Sequence, residues 1–175
     1  MAQCECPRIS TADTLVFGAI QILIGTFHIF MWYFLRVLYM GQIKGVFGTY
    51  EPITYKTGSA LWGIFFIISG VFLIKIARHP TPQLVTCALV LAISCIMITL
   101  VGIALTIFEL SRFGSVSYRN YGQARLGREV SRILLFSYHL ELVLVLTYSI
   151  FGCVDLNRGN EDDRATVREE AGRIS

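Results

Sequence analysis

Four apolar runs separated by short polar stretches organise this chain, at residues 15–36, 57–76, 84–107 and 132–154. A helix crosses the hydrocarbon core of a bilayer with about 20 predominantly apolar residues, and each run reaches that length. Inside the runs the small and polar residues recur at helical spacing rather than alternating. The pattern predicts an all-α protein, a four-pass transmembrane helix bundle. Outside the helices it leaves a head (1–14), three connections (37–56, 77–83 and 108–131) and a charged tail (155–175). The first run starts 14 residues in, has no basic flank and is as long as a full span. It reads as a retained anchor rather than a cleaved leader.

Each predicted span carries one narrow stripe of small or polar residues. In the first it is Gly18, Gln21, Gly25 and His28, extended by Trp32 and Arg36. In the second it is Ser59, Gly63, Phe66 and Gly70; in the third, Ala88, Ala92, Cys95, Thr99, Gly102 and Thr106; in the fourth, Ser137, Glu141, Tyr148 and Gly152. Lipid tails are as apolar as leucine, so spans associate through close backbone approach and interhelical hydrogen bonds rather than through burial alone. The stripes therefore predict a bundle in which Gly18, Gly25, Gly63, Gly70, Ala88 and Ala92 are packing positions and Gln21, His28 and Glu141 are intramembrane polar positions.

Glu141 is the most expensive of these. It lies nine positions after Arg132, at a depth where an ionisable side chain costs about 2.5–3.5 kcal/mol to insert. It must be protonated, paired, or both, and Gln21 and His28 are candidate partners at compatible depths if the first and fourth spans are antiparallel. Two readings stand at this point: a proton- or cation-sensitive site, or a buried, protonated carboxyl that hydrogen-bonds across the bundle or to a second copy. His139 falls on nearly the opposite face and does not belong to the same site.

Composition agrees with the pattern. The 175 residues are 54% hydrophobic and 15% charged, with a mean hydropathy of +0.61, which a soluble domain of this size could not shield from water. A net charge of +3 with scattered arginines gives no nucleic-acid surface. Seven Lys/Arg lie in and beside the head, the short middle connection and the tail, and eight lie in and beside the other two connections, so charge counting leaves the orientation open. None of the five cysteines falls in the first or third connection, so no disulfide can staple either one. Cys4 and Cys6 are candidates for acylation beside the membrane. The tail from Asn157 is charge-mixed and lacks aromatics, which predicts disorder or weak helicity. The Ser117–Gly122 stretch, SYRNYG, forms either a partner surface or a lipid-binding cap.

No metalloprotease helix motif, nucleophile elbow, phosphate loop or Cys-x-x-Cys pair is present, so the reading is a protein with no catalytic, cofactor or metal site. Three function classes remain: an assembly subunit, a cation channel subunit, and a scaffold that organises lipids or sterols.

Several local sequences carry a family resemblance. They are Gly18-Ala19-Ile20-Gln21-Ile22 with Gly25, Phe27 and His28; Tyr50-x-Pro52; Leu61-Trp62-Gly63 with Ile68-Ser69-Gly70; and Leu140-Glu141 with Phe151-Gly152-Cys153. Together they resemble the membrane-spanning 4-domains subfamily A, which includes the B-lymphocyte four-pass antigen and the beta subunit of the high-affinity IgE receptor. The resemblance spans about 17–154. It implies a plasma-membrane protein with both termini and the 77–83 connection in the cytosol, and with 37–56 and 108–131 as outer loops. It also implies homo- or hetero-oligomers, with related four-pass proteins or a receptor, acting in signal transduction within a multimeric receptor complex. In some relatives that role is linked to calcium entry. Two departures stand out. The cysteine pair that relatives often carry in the larger outer loop is missing, and so is a tyrosine signalling motif in the tail.

Overall fold

Ser10 starts the first helix. Its hydroxyl accepts the Ala12 N–H at 3.3 Å, while Asp13 reaches back to accept the Ser10 N–H, also at 3.3 Å. These reciprocal bonds satisfy donors that a helix N-terminus otherwise leaves unpaired. The computed structural model describes residues 10–40, 53–79, 81–113 and 122–174. Among these it contains helices and no strand. They are α1 (Thr11–Met40), α2 (Ile53–Thr57), a 3₁₀ turn (Ser59–Trp62), α3 (Gly63–Arg78), α4 (Pro82–Phe113) and α5 (Gly122–Ile174).

The breaks between helices have local causes. Gly58 takes φ 62°, a left-handed conformation that costs glycine little, and its N–H bonds the Tyr55 carbonyl at 3.2 Å, closing α2. Pro82 opens α4 at the first helical position, where its missing N–H has no partner to lose. No proline interrupts α5, which continues past Val154 to Ile174. The tail expected to be disordered or weakly helical is thus the end of the fourth spanning helix.

Among the described residues, four helices are long and apolar enough to cross a membrane: Thr11–Leu38, Ser59–Arg78, Gln83–Arg112 and Arg125–Cys153. α1 packs most extensively on α3 and α4 on α5; α1 also meets α5, and α3 meets α4. The result is an up-down-up-down square with α1 and α4 on one diagonal. Polarity is arranged inside out compared with a water-soluble bundle. Phe136 is 74% exposed and Leu23 69%, whereas His28, Thr99, Glu109 and Glu141 are fully buried. Apolar side chains on the rim and hydrogen-bonding groups along the axis are what a lipid solvent selects.

Candidate functional site

The bundle interior is built from two kinds of contact, a glycine seam between α1 and α3 and polar rungs between α1 and α5. In the seam, Gly18 faces Gly70 and Gly25 faces Gly63, and all four are buried. A Cβ placed on Gly25 would lie 2.5 Å from the Gly63 carbonyl oxygen. One on Gly63 would lie 2.6 Å from the Gly25 carbonyl, and one on Gly70 would lie 2.6 Å from that of Gly18. Backbone rests on backbone at both crossings. The seven-residue separation on each helix repeats the contact after two turns, which is the spacing of a left-handed pairing.

The rungs lie beside the seam. Gln21 Nε2 donates to Glu141 Oε1 at 2.9 Å. Two turns along α1, His28 Nε2 lies 2.9 Å from the Ser137 hydroxyl. The His28 ring packs edge-on against Tyr138, with centroids 4.4 Å apart, and against Phe66 at 5.6 Å. Tyr138 in turn donates its hydroxyl to the Ser59 carbonyl at 3.2 Å. Its ring lies where a side chain on Gly102 would have to go, 2.8 Å from that residue's absent Cβ. One tyrosine therefore ties α5 to the start of the second span and to α4. Thr99 and Thr106 on α4 donate to carbonyls four residues back, at 2.6 and 2.7 Å, so neither brings an unmet donor to the axis. Glu141 Oε2 and His28 Nδ1 have no hydrogen-bond partner among the described residues.

A third cluster holds one end of the bundle. Glu109, on α4, accepts the Thr54 N–H at 3.0 Å and the Thr54 hydroxyl, both on Oε2; Ser131 of α5 donates to Oε1 at 3.3 Å. All three residues are buried. The carboxyl thereby fastens the short helix α2 to α4 and α5.

The structure brings Gln21 to Glu141 and pairs the four glycines, and it buries Ala88 and Ala92 in the core, 2% and 3% exposed. His28 reaches Ser137, and His139 points outward. Cys4, Cys6, Tyr50, Pro52 and the stretch 114–121 lie outside the described residues. Glu109, Thr54 and Tyr138 were not singled out from sequence. A signal for Glu109 existed: the third-span stripe steps 88, 92, 95, 99, 102, 106, and the next position in that series is 109. The apolar run stops at 107, which places Glu109 in the predicted 108–131 connection.

No group of three or more His, Cys, Asp or Glu placed to hold a metal occurs among the described residues. A cavity beside Gln21, Ser69 and Tyr148 has a volume of about 10 Å³. That is room for one water molecule and for nothing larger.

Comparison with known proteins places this architecture. The CD20-like family matches residues 16–133. The chain belongs to the CD20-like family. It is 63% identical over 149 residues to membrane-spanning 4-domains subfamily A member 13 of Homo sapiens, covering 85% of this chain and 97% of that protein. It is 58% identical over 154 residues to member 13 of Mus musculus, covering 88% and 76%. It is 34% identical over 146 residues to member 8 of Mus musculus, covering 79% and 48%. The resemblance seen in the local sequences thus holds across most of the chain. CD20-like membership and the four apolar helices together identify a multi-pass membrane protein, and the names of these relatives describe membrane spans rather than catalysis.

Proposed function

We propose that this protein is a non-enzymatic assembly subunit of the plasma membrane. In this reading both termini face the cytosol, and the protein oligomerises and joins a multimeric receptor complex whose trafficking or signalling it modulates. The observation that carries the reading is how the interior polar groups are used. Four pairs bond across helices, Gln21 to Glu141, His28 to Ser137, Tyr138 to Ser59 and Glu109 to Thr54, while Thr99 and Thr106 bond within α4. Such bonds set register and orientation in a bundle.

The test is assembly in the native membrane. The full chain, labelled with one fluorophore and counted by stepwise photobleaching, is expected to bleach in two or more steps. Epitope tags at either end are expected to become accessible only after permeabilisation. Single-step bleaching throughout would overturn the assembly reading, and a tag reached from outside intact cells would overturn the topology. Purified chain in liposomes is expected to be electrically silent; a conductance altered by Glu141→Gln would move the reading to a cation channel subunit.

The register role of Gln21 and Glu141 has its own measurement. Glu141→Leu leaves the Gln21 amide facing hydrocarbon, and Gln21→Leu does the same to the carboxyl. The double variant Gln21→Leu/Glu141→Leu is expected to lose less stability in detergent than the two single losses summed. The coupling expected is about 0.6–1.7 kcal/mol, as for other interhelical bonds in bilayers. Strict additivity would show that the contact does not hold the helices together.

A further inference from the structure

The first turns of α5 carry more positive charge than the protein neutralises. Between Gly122 and Ile133 the charged residues are Arg125, Arg128, Glu129 and Arg132; three cations and one carboxylate leave a net +2. Spacings of three and four put the three arginines on one face of the helix. We propose that this face holds the phosphate of an anionic phospholipid at the rim of the bundle. The site is independent of the assembly and topology readings above, because lipid lies against this end whichever way the chain is oriented.

The spans offer these arginines little to bond. The four spans hold four acids, Asp13, Glu109, Glu129 and Glu141. Asp13 stands at the opposite end of the bundle, in the first turn of α1. Glu109 and Glu141 are fully buried, the first taking bonds from Thr54 and Ser131 and the second from Gln21. Glu129 remains, and Arg132 takes it: Nη1 donates to its two oxygens at 2.9 and 3.3 Å. Arg128 Nε lies 3.8 Å from the same carboxylate, beyond hydrogen-bonding distance. That nitrogen is shielded by the protein and has no hydrogen-bond partner among the described residues. Arg125 is exposed and forms no ion pair among the described residues. Two arginines elsewhere at this end, Arg36 and Arg112, instead lie over the rings of Trp32 and Phe108, at 5.6 and 5.0 Å. Phosphate oxygens suit the shortage, because a guanidinium presents forked donors that match them in pairs.

Depth selects a lipid over a soluble anion. Arg125 opens the Arg125–Cys153 span, and Arg128 and Arg132 lie three and seven residues within it, about 5 and 10 Å along the axis at about 1.5 Å per residue. From there long arginine side chains reach back to headgroup level. Exposed apolar residues share the surface: Leu126 and Ile133 are interleaved with the arginines, and Phe136 stands one turn below Arg132 on the same face. The patch is cationic at headgroup level and apolar immediately beneath. A phospholipid meets both halves, its phosphate on the guanidinium groups and an acyl chain along Phe136, whereas a polyanion in water meets only the first. The net +2 favours a headgroup of net negative charge over a zwitterionic one, whose ammonium returns a positive charge to the patch.

The experiment uses the full-length chain purified in detergent and offered phosphatidylglycerol and phosphatidylcholine of the same acyl chains at equal mole fraction. Bound lipid is counted by native mass spectrometry. Retention of phosphatidylglycerol is expected to exceed that of phosphatidylcholine by about 25-fold, at about fivefold per unit of charge. Arg125→Gln and Arg128→Gln are each expected to lower that preference about fivefold, and Arg125→Gln/Arg128→Gln/Arg132→Gln to abolish it. Arg36→Gln removes the same charge from α1 at the same end and is expected to leave the preference in place. Equal retention of the two lipids, or an equal loss with Arg36→Gln, would overturn the site. Arg125 is exposed, so Arg125→Gln should unfold at the temperature of the unmodified chain, and it carries the test if the triple variant does not fold. Inorganic phosphate or heparin, added at constant ionic strength, is expected to leave phosphatidylglycerol bound. Displacement by either would show that the face takes a soluble anion and would overturn the choice of a lipid.

Discussion

Adding a single methyl group at Gly25 is expected to destabilise the bundle by about 2 kcal/mol, although the same change in an ordinary helix is favourable. Glycine to alanine in a helix interior normally gains about 0.5–1 kcal/mol, because alanine loses less conformational freedom on folding. Here the new carbon would lie 2.5 Å from the Gly63 carbonyl oxygen, 2.7 Å from Ile67 Cγ1 and 3.0 Å from the Ile67 nitrogen. Two of those three atoms are backbone, so no rotamer change relieves the clash. α1 and α3 must separate, and the contacts around both crossings loosen with them. Overpacking of this kind costs about 1–3 kcal/mol, which exceeds the propensity gain. Gly63→Ala should behave alike, since its Cβ would meet the Gly25 carbonyl at 2.6 Å. The double variant should cost less than the sum, because one separation makes room for both methyls. Gly152→Ala is the control. It is a buried helical glycine whose Cβ would meet only Leu89 Cδ2, at 3.5 Å, so stability should stay level or rise. Thermal unfolding in detergent decides the matter: equal midpoints for Gly25→Ala and Gly152→Ala would show that the seam is not close-packed.

The second large effect is expected at Glu109. Glu109→Leu removes the acceptor for the Thr54 N–H, the Thr54 hydroxyl and the Ser131 hydroxyl at once. Each buried donor left unpaired costs about 1–3 kcal/mol, so a loss of about 3 kcal/mol or more is expected. Glu109→Gln should be mild: its amide oxygen can still receive both bonds from Thr54, and its NH₂ can donate to Ser131 in place of the bond it loses. Hydrogen exchange at the Thr54 amide gives a local readout, with protection lost in the leucine variant and kept in the glutamine variant. Equal loss in both would mean that the negative charge, rather than the hydrogen bonds, holds α2.

The helices and their interior faces were legible because lipid imposes a simple rule: apolar residues face out, and small or hydrogen-bonding residues face in. Depth in an antiparallel pair of spans offers Glu141 two partners, Gln21 and His28; the structure gives it Gln21 and pairs His28 with Ser137. The ends were less legible. Reading α4 as finishing where its apolar run finished hid Glu109, a charged residue that continues the stripe one step past the run. Tyr138 was passed over for a different reason. Its neighbours Ser137 and Glu141 carried the polar signal, and its value depends on Gly102 of another helix leaving room for its ring. The tail is legible only as disordered or weakly helical, because a charge-mixed sequence without proline suits helix and coil alike and composition does not choose between them; the structure takes the helix, to Ile174.

That continuation has a mechanical consequence. At about 1.5 Å per residue, the portion of α5 beyond Cys153 extends about 30 Å from the bundle as part of the same rod. A reorientation of α5 by about 10° would therefore sweep the far tip through roughly 5 Å, as that rise per residue implies. Slight repacking among the spans becomes a displacement large enough for a neighbouring molecule to sense.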